Sequence, residues 1–212
     1  EQWSIEARLS SPLGQFFEYV AGGYYDTSDY HLHQDTFYRD VFALTGHQST
    51  DFYQDSKAWS VFGQGTLNFT DALRFIAGLR YSKVEKSATF TQYTVSGSPL
   101  NPIGPDRSGS LSEDYFDPSG TLQYDIADDI MLYATIARGS KSGGFVSNTY
   151  NVSADGFQFA AERSTNYEVG LKSTLGNGLA TVNLAAFRMD FTDLQQSAYD
   201  PDRRTFFTRN AA

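Results

Sequence analysis

The chain contains no cysteine, which excludes disulfides and thiolate metal sites and removes any redox argument about compartment. It also has no run near the ~18 consecutive apolar residues that a spanning helix needs, which argues against a helical inner-membrane protein. A membrane barrel stays open, because a spanning strand needs an apolar residue only at every second position. Positive charge is scarce, with 16 Lys and Arg against 25 Asp and Glu and a net charge of −9. No basic cluster exists to neutralise phosphates, so no nucleic-acid partner is expected. Histidine is confined to His31, His33 and His47, and no G-x-S-x-G is present. Neither a Ser-His-carboxylate arrangement nor another catalytic set can be assembled, so no enzyme is expected and no catalytic residue is named. Glu1 follows no signal peptide or initiator methionine, and Trp3 already belongs to a strand pattern, so the start reads as a cut through a longer protein.

What the chain has in quantity is ring side chains, 14 Tyr and 17 Phe, residues that suit strands and membrane-interface girdles. They sit in alternating segments. Tyr167, Val169 and Leu171 take one parity while Asn166, Glu168, Gly170 and Lys172 take the other, and period two means one apolar and one polar face. Trp3, Ile5, Ala7 and Leu9 likewise oppose Ser4, Glu6, Arg8 and Ser10. After Ala72, Phe75, Ala77, Leu79 and Tyr81 oppose Arg74, Gly78, Arg80 and Ser82, with Ile76 breaking the polar set. Four short polar turns recur, Ser11 to Gln15, Thr70 to Ala72, Asp125 to Asp128 and Leu175 to Asn177, alternating with much longer polar segments. A soluble sheet with one wet face gives the same alternation, but its loops are usually of similar length at both ends. Here they are short at one end only, as in an outer-membrane barrel.

Nine strands are predicted, at Gln2–Ser10, Phe16–Tyr25, Lys57–Phe69, Leu73–Lys86, Asp114–Tyr124, Asp129–Arg138, Ser164–Thr174, Gly178–Asp190 and Arg204–Ala212. The segments Asp26–Ser56, Ser87–Glu113, Gly139–Arg163 and Phe191–Arg203 are predicted to be long outer loops into which strands extend. Phe69, Phe75 and Tyr124 beside the short turns, and Trp59 and Tyr81 at the opposite strand ends, are placed in two aromatic girdles. On the eighth strand Ala180, Val182, Leu184 and Ala186 share a parity that then meets Arg188 and Asp190. Either that strand leaves the hydrocarbon there or a bulge shifts its register. The turn Gly176-Asn177-Gly178 supplies residues that tolerate positive φ.

The glycine-rich stretch Arg138-Gly139-Ser140-Lys141-Ser142-Gly143-Gly144-Phe145 lacks the G-x-x-x-x-G spacing and the following helix of a phosphate-binding loop. Instead, with Leu132-Tyr133-Ala134 before it, it resembles a segment of the TonB-dependent outer-membrane receptors, Ser140 standing where an aromatic often sits. Glu162-Arg163-Ser164-Thr165-Asn166-Tyr167-Glu168-Val169-Gly170-Leu171-Lys172 is similar to that family's "PE-x-x-x-x-YE-x-GLK" strand, with Ala161 in place of the proline. Asn183 to Phe187, Phe191 to Gln195 and the opening Ser4 to Pro12 also resemble receptor strands.

The resemblance implies an antiparallel transmembrane β-barrel of the twenty-two-stranded type, of which residues 1–212 form a middle portion without the family's plug. It implies energy-coupled uptake of a scarce ligand such as a ferric siderophore, cobalamin or glycan across the outer membrane of a Gram-negative bacterium. The partners implied are outer-membrane lipid, the protein's own plug, the TonB energy-coupling complex and a ferric chelate, with no cofactor. A passive porin or small autonomous barrel is the alternative, and a barrel enzyme such as a lipase fails for want of motifs.

Glu6, Arg8, Arg80, Glu168 and Lys172 are expected to line the lumen. Tyr30, His31, His33, Tyr38 and Arg39 in the first long segment are expected to contribute to ligand capture, since rings and a guanidinium stack on and pair with a polar chelate. His31 and His33 share a parity and lie near Asp26, Asp29 and Asp35, which is one way to build a metal site, but a solvated surface is the favoured reading and no metal is assigned. The triplets Asn68-Phe69-Thr70 and Asn151-Val152-Ser153 match a glycosylation acceptor that is meaningless in a bacterial setting.

Overall fold

The computed structural model describes residues 1–100, 103–147, 156–176, 178–200 and 205–211, and among these there is no α-helix. Eight strands form one antiparallel meander: β1 (Gln2–Ser10), β2 (Phe17–Val41), β3 (Leu44–Asn68), β4 (Leu73–Gly97), β5 (Arg107–Ala127), β6 (Ile130–Lys141), β9 (Glu162–Leu175) and β10 (Ala180–Thr192). Between β6 and β9 a short pair, β7 (Gly144–Phe145) and β8 (Gln158–Phe159), forms a two-stranded sheet of its own. After β10, β11 (Leu194–Asp200) and β12 (Thr205–Ala211) form a hairpin of their own.

Two expectations are corrected here. The segment 26–56 is no loop, because β2 and β3 stay paired from Phe17↔Leu67 to Val41↔Leu44 and are joined by Phe42 and Ala43 alone. Both turn residues have positive φ, 51° and 61°, the conformation of a tight hairpin turn, although neither is the Asn or Gly that usually marks one. The last predicted strand also pairs differently: residues 205–211 pair with β11 rather than with β10, while Arg204 and Ala212 lie outside the described residues. So do Asn177 and the triplet Asn151-Val152-Ser153. Gly176 and Gly178, on either side of Asn177, have the positive φ the turn requires, 60° and 94°.

Register keeps the two faces separate. One rung runs Leu67, Phe75, Leu122, Ala134, Val169, Ala186 across six strands, all apolar. The same face carries Trp3, Tyr25, Trp59 and Tyr81 further up, with Trp3 and Tyr25 rings 5.2 Å apart and Trp59 and Tyr81 5.5 Å apart. These side chains are open: Leu79 is 43% exposed, Val169 57% and Leu184 64%. A contiguous apolar face of this extent is not compatible with water. β9 and β10 pair without a register shift from Leu175↔Ala180 to Arg163↔Thr192. Arg188 and Asp190 therefore share the face of Ala186 with no bulge between them, and the strand has left the apolar band where they stand.

β2, β3 and β4 are each 25 residues long, whereas a tilted strand crosses the hydrocarbon in ~9–11 residues. More than half of each projects beyond the band. The buried core lies in that projecting part, on the opposite face, where Phe52, Ala88, Phe90, Leu111, Phe145 and Phe157 pack together with Leu32.

Candidate functional site

The face opposite the apolar band is built from charge, hydroxyls and a few rings. The register puts Glu6, Arg8, Arg80, Glu168 and Lys172 on it. Near the short turns Arg74 ties β4 to β5, donating to Gln123 Oε1 at 2.9 Å and to Asp125 Oδ2 at 2.6 Å. At mid-height the Arg8 and Arg80 guanidinium carbons lie 5.7 and 5.8 Å from the centre of the Phe62 ring, and Arg80 is also 5.9 Å from Tyr24. Glu6 pairs with Arg8. Phe62 itself lies over Gly22, its cross-strand partner, whose added Cβ would come within 2.6 Å of the ring. A second such set sits on β6 and β9. Tyr133 covers Gly170, donates its hydroxyl to Glu168 Oε1 at 2.6 Å and carries the Lys172 ammonium 5.5 Å from its ring centre. Ser60 Oγ and Asn166 Oδ1 are buried on this face with no hydrogen-bond partner among the described residues, although buried polar atoms are normally satisfied.

Above mid-height the sheet opens between β5 and β6. Their ladder ends at Ser119↔Ala137, beside Pro118, which has no N–H to donate. The glycine-rich segment folds back into this opening. Lys86 Nζ donates to Ser142 Oγ at 2.6 Å and to the Gly143 carbonyl at 2.9 Å, while Gly143 N donates to Glu113 Oε2 at 2.9 Å. Tyr115 donates to the same Glu113 oxygen. Burial pushes the Lys86 ammonium below its ordinary value, against the charges of Glu113 and Asp26, which raise it. Gly143 has no room for a side chain, since a Cβ would stand 2.5 Å from the Phe159 carbonyl oxygen and 2.9 Å from Glu113 Oε1. Phe145 packs beside Phe157, with ring centres 5.2 Å apart, and over Gly109. The stretch that could suggest phosphate binding is thus a latch on the inner face. Lys86, Glu113 and Tyr115, which the sequence reading did not single out, hold it.

The five residues expected to capture ligand do not share a surface. Tyr30 lies on the inner face, edge-on to Phe52 with ring centres 6.1 Å apart, and is half exposed. Tyr38 is also inward but buried, donating to the Ser98 carbonyl and accepting from Leu100 N at 3.1 Å. Arg39 is exposed at the tip, next to the register shift between Tyr38 and Val41. His31 and His33 are on the face of Tyr25 and Trp59, turned away from the inner surface. Among the described residues no group of three His, Asp, Glu or Cys side chains is arranged to hold a metal ion. Replacing Tyr38 by Phe is expected to remove one hydrogen bond from the Ser98 carbonyl and one of the two from Leu100 N, which keeps Gln48 Oε1 at 3.0 Å, at about 0.5–1.5 kcal/mol per bond. Limited proteolysis of the assembled protein should then show faster cleavage between residues 97 and 107 and nowhere else.

An apolar band wide enough for a bilayer on one face, a polar wall on the other and strands continuing far beyond it describe a membrane barrel wall. The family described as "TonB dependent receptor-like, beta-barrel" matches residues 2–212. The chain belongs to that family. Like other TonB-dependent receptor barrels it is an outer-membrane protein of Gram-negative bacteria and not an enzyme. The chain is 30% identical over 152 residues to the pesticin receptor of Yersinia enterocolitica, covering 69% of this chain and 20% of that protein. Identity to the Yersinia pestis pesticin receptor is 29%, with the same coverage. The ferric yersiniabactin uptake receptor of Yersinia pestis superposes with a TM-score of 0.75 at 21% identity, over 99% of this chain and 30% of that one. A copper transporter, OprC, superposes with a TM-score of 0.51 at 13% identity, over 98% of this chain and 41% of that one. These two likenesses concern the fold. The chain spans about a fifth of the length of the curated relatives it matches.

Proposed function

We propose that residues 1–212 form part of one barrel domain of a receptor that imports a ferric chelate by energy-coupled transport. The observation that carries the reading is the sheet's division into an apolar band and a polar inner wall that continues upward on three 25-residue strands. The names of the relatives, a pesticin receptor and a ferric yersiniabactin uptake receptor, supply the ligand class.

In this reading Glu6, Arg8, Arg80, Glu168 and Lys172 face the lumen and meet a plug carried elsewhere in the full protein. The unpartnered Ser60 Oγ and Asn166 Oδ1 find their hydrogen bonds there or in lumen water. The TonB complex acts on that plug from the periplasm. The inner side of the projecting hairpins receives ligand, with Tyr30 offering a half-exposed ring and Arg39 a guanidinium at the tip. His31 and His33, turned outward, have no part in capture, and Tyr38 shapes the mouth without touching ligand.

The test is radioactive iron uptake from a panel of ferric chelates by a deletion strain carrying the intact receptor. Uptake of one chelate that stops when the proton-motive force is collapsed is the expected result. Uptake indifferent to that collapse, with general entry of small solutes, would identify a passive pore instead.

A further inference from the structure

All three histidines of the chain and two of its aspartates form one connected series on the outward side of the projecting β2–β3 hairpin. Asp51 Oδ1 faces His31 Nε2 at 3.3 Å and His33 Nδ1 at 2.8 Å, and Asp51 Oδ2 accepts from the Tyr93 hydroxyl at 3.2 Å. Asp35 Oδ1 faces His33 Nε2 at 3.4 Å and His47 Nε2 at 2.8 Å, and accepts from Ser49 at 2.5 Å. The outer imidazoles are held flat by stacking, His31 on Tyr53 and His47 on Phe37, each with ring centres 4.0 Å apart.

His33 differs from the other two in one respect. Both of its ring nitrogens face a carboxylate oxygen, whereas His31 and His47 each present only Nε2 to one. A neutral imidazole carries a single N–H, and only the imidazolium donates from both nitrogens. A neutral ring at position 33 would turn a lone pair toward either Asp35 or Asp51. We propose that His33 is a proton-held clasp of the extracellular hairpin, bridging Asp35 and Asp51 when protonated and releasing one of them when it loses its proton.

The surroundings favour this. On β2 the charged neighbours are Asp35 and, one rung below His31, Asp29; on β3 they are Asp51, Asp55 and His47, with Tyr53 beside His31. On β4 the same rungs bring Thr89, Thr91 and Tyr93, and on β5 Ser108. Just before β1, the Glu1 amino group donates to the Asp29 carbonyl at 2.7 Å. Among the described residues no Lys or Arg stands on these rungs to compete. The hydrogen bond to Asp51, with the charges of Asp35 and Asp51, raises His33 above its ordinary value against a smaller opposing effect of burial. Asp51 is lowered chiefly by its bond to His33, and Asp35 by its bonds to Ser49 and His47.

The direction of the effect follows. A raised His33 stabilises the hairpin fully below the ordinary histidine range, and the contribution is lost as pH climbs through the raised value. The lowered aspartates contribute above the ordinary carboxylate range and lose that contribution in strong acid. The hairpin is tightest in mildly acidic medium and loosens on the alkaline side. Tyr30, Leu32 and Phe52 lie on the other face of the same strands, so the clasp sets the order of the mouth's wall.

This inference goes beyond the uptake reading, and its test needs no ligand. Amide hydrogen exchange of residues 31–52 is followed in the intact receptor at pH 5.5 and 8, with rates corrected for the intrinsic pH dependence of exchange. The expected result is several-fold stronger protection at pH 5.5 in the wild type, no pH difference in His33→Gln, and a retained difference in His31→Gln, whose ring needs no second proton. His33 is a surface residue, 43% exposed in its side chain, so His33→Gln should assemble, which heat-modifiable mobility checks. A wild-type hairpin with equal protection at both pH values would overturn the proposal, as would an undiminished pH difference in His33→Gln.

Discussion

Leu171→Arg in the intact receptor is expected to reduce the yield of assembled barrel several-fold, while Lys172→Ala, one residue away, leaves it near wild type. Leu171 stands between Leu132 and Leu184 on the apolar face, midway between the aromatic level of Tyr167 and the short turn after Leu175. Arginine at a midplane lipid-facing position costs about 2–4 kcal/mol. Lys172 lies on the opposite face, where its contact with the Tyr133 ring is worth only about 0.5–1 kcal/mol. Heat-modifiable mobility of outer-membrane fractions measures both variants. Equal yields would mean that the two faces have been assigned the wrong way round or that the sheet does not face lipid. Gly170, the residue before Leu171, is no silent position, because a side chain there would displace Tyr133 from its bond to Glu168.

Gly143→Val should have the largest local effect, freeing the latch without dismantling the barrel. The new side chain meets a backbone oxygen and the half-buried Glu113 carboxylate, and overpacking of this kind costs about 1–3 kcal/mol. Displacing the segment also strips Lys86 of both its acceptors, a further loss of about 1–3 kcal/mol for a partly buried polar group. The outcome is fast proteolysis between Gly139 and Glu162 in an otherwise assembled receptor. Gly139→Ala serves as the control, since its Cβ would approach nothing closer than 3.3 Å, and that atom is the Ser164 hydroxyl. If Gly143→Val is as resistant as the control, the segment is not held by these contacts.

The transmembrane part of this fold is legible in the sequence because the bilayer enforces period two. Trp3 to Leu9 and Tyr167 to Leu171 could be assigned to a face from parity alone, and Arg188 needed only the register of β10 to settle its place. The upper half is not legible for the complementary reason. Above the band no solvent forces one face to be apolar, so His31, His33, Asp35 and Asp51 alternate with Leu32, Gln34 and Phe52 in a pattern that reads as loop. The turn that closes it, Phe42-Ala43, lacks the Asn-Gly signature that would have announced a hairpin. Misreading strand as loop had a direct cost for the site. Tyr30, His31, His33, Tyr38 and Arg39 seem one cluster on a loop, but on a strand adjacent residues point apart, and the five divide between mouth, core, tip and outer face. The latch was hidden differently, since Gly143 and Phe145 stood out as a motif but their partners Lys86 and Glu113 are distant in sequence.

The central claim is that one parity of every strand from β1 to β10 in the sheet faces lipid and the other the interior. Because the chain has no cysteine, single spin labels can be placed on it in an otherwise cysteine-free intact receptor reconstituted in lipid. Labels at positions 77 to 81, 132 to 136 and 168 to 172 would be scored for collision with oxygen, which concentrates in the bilayer, and with a water-soluble nickel chelate. The account predicts strict alternation, with oxygen favoured at 77, 79, 81, 132, 134, 136, 169 and 171 and oxygen exposure low at the positions between. Uniform accessibility along a strand, or alternation with the opposite phase, would contradict it.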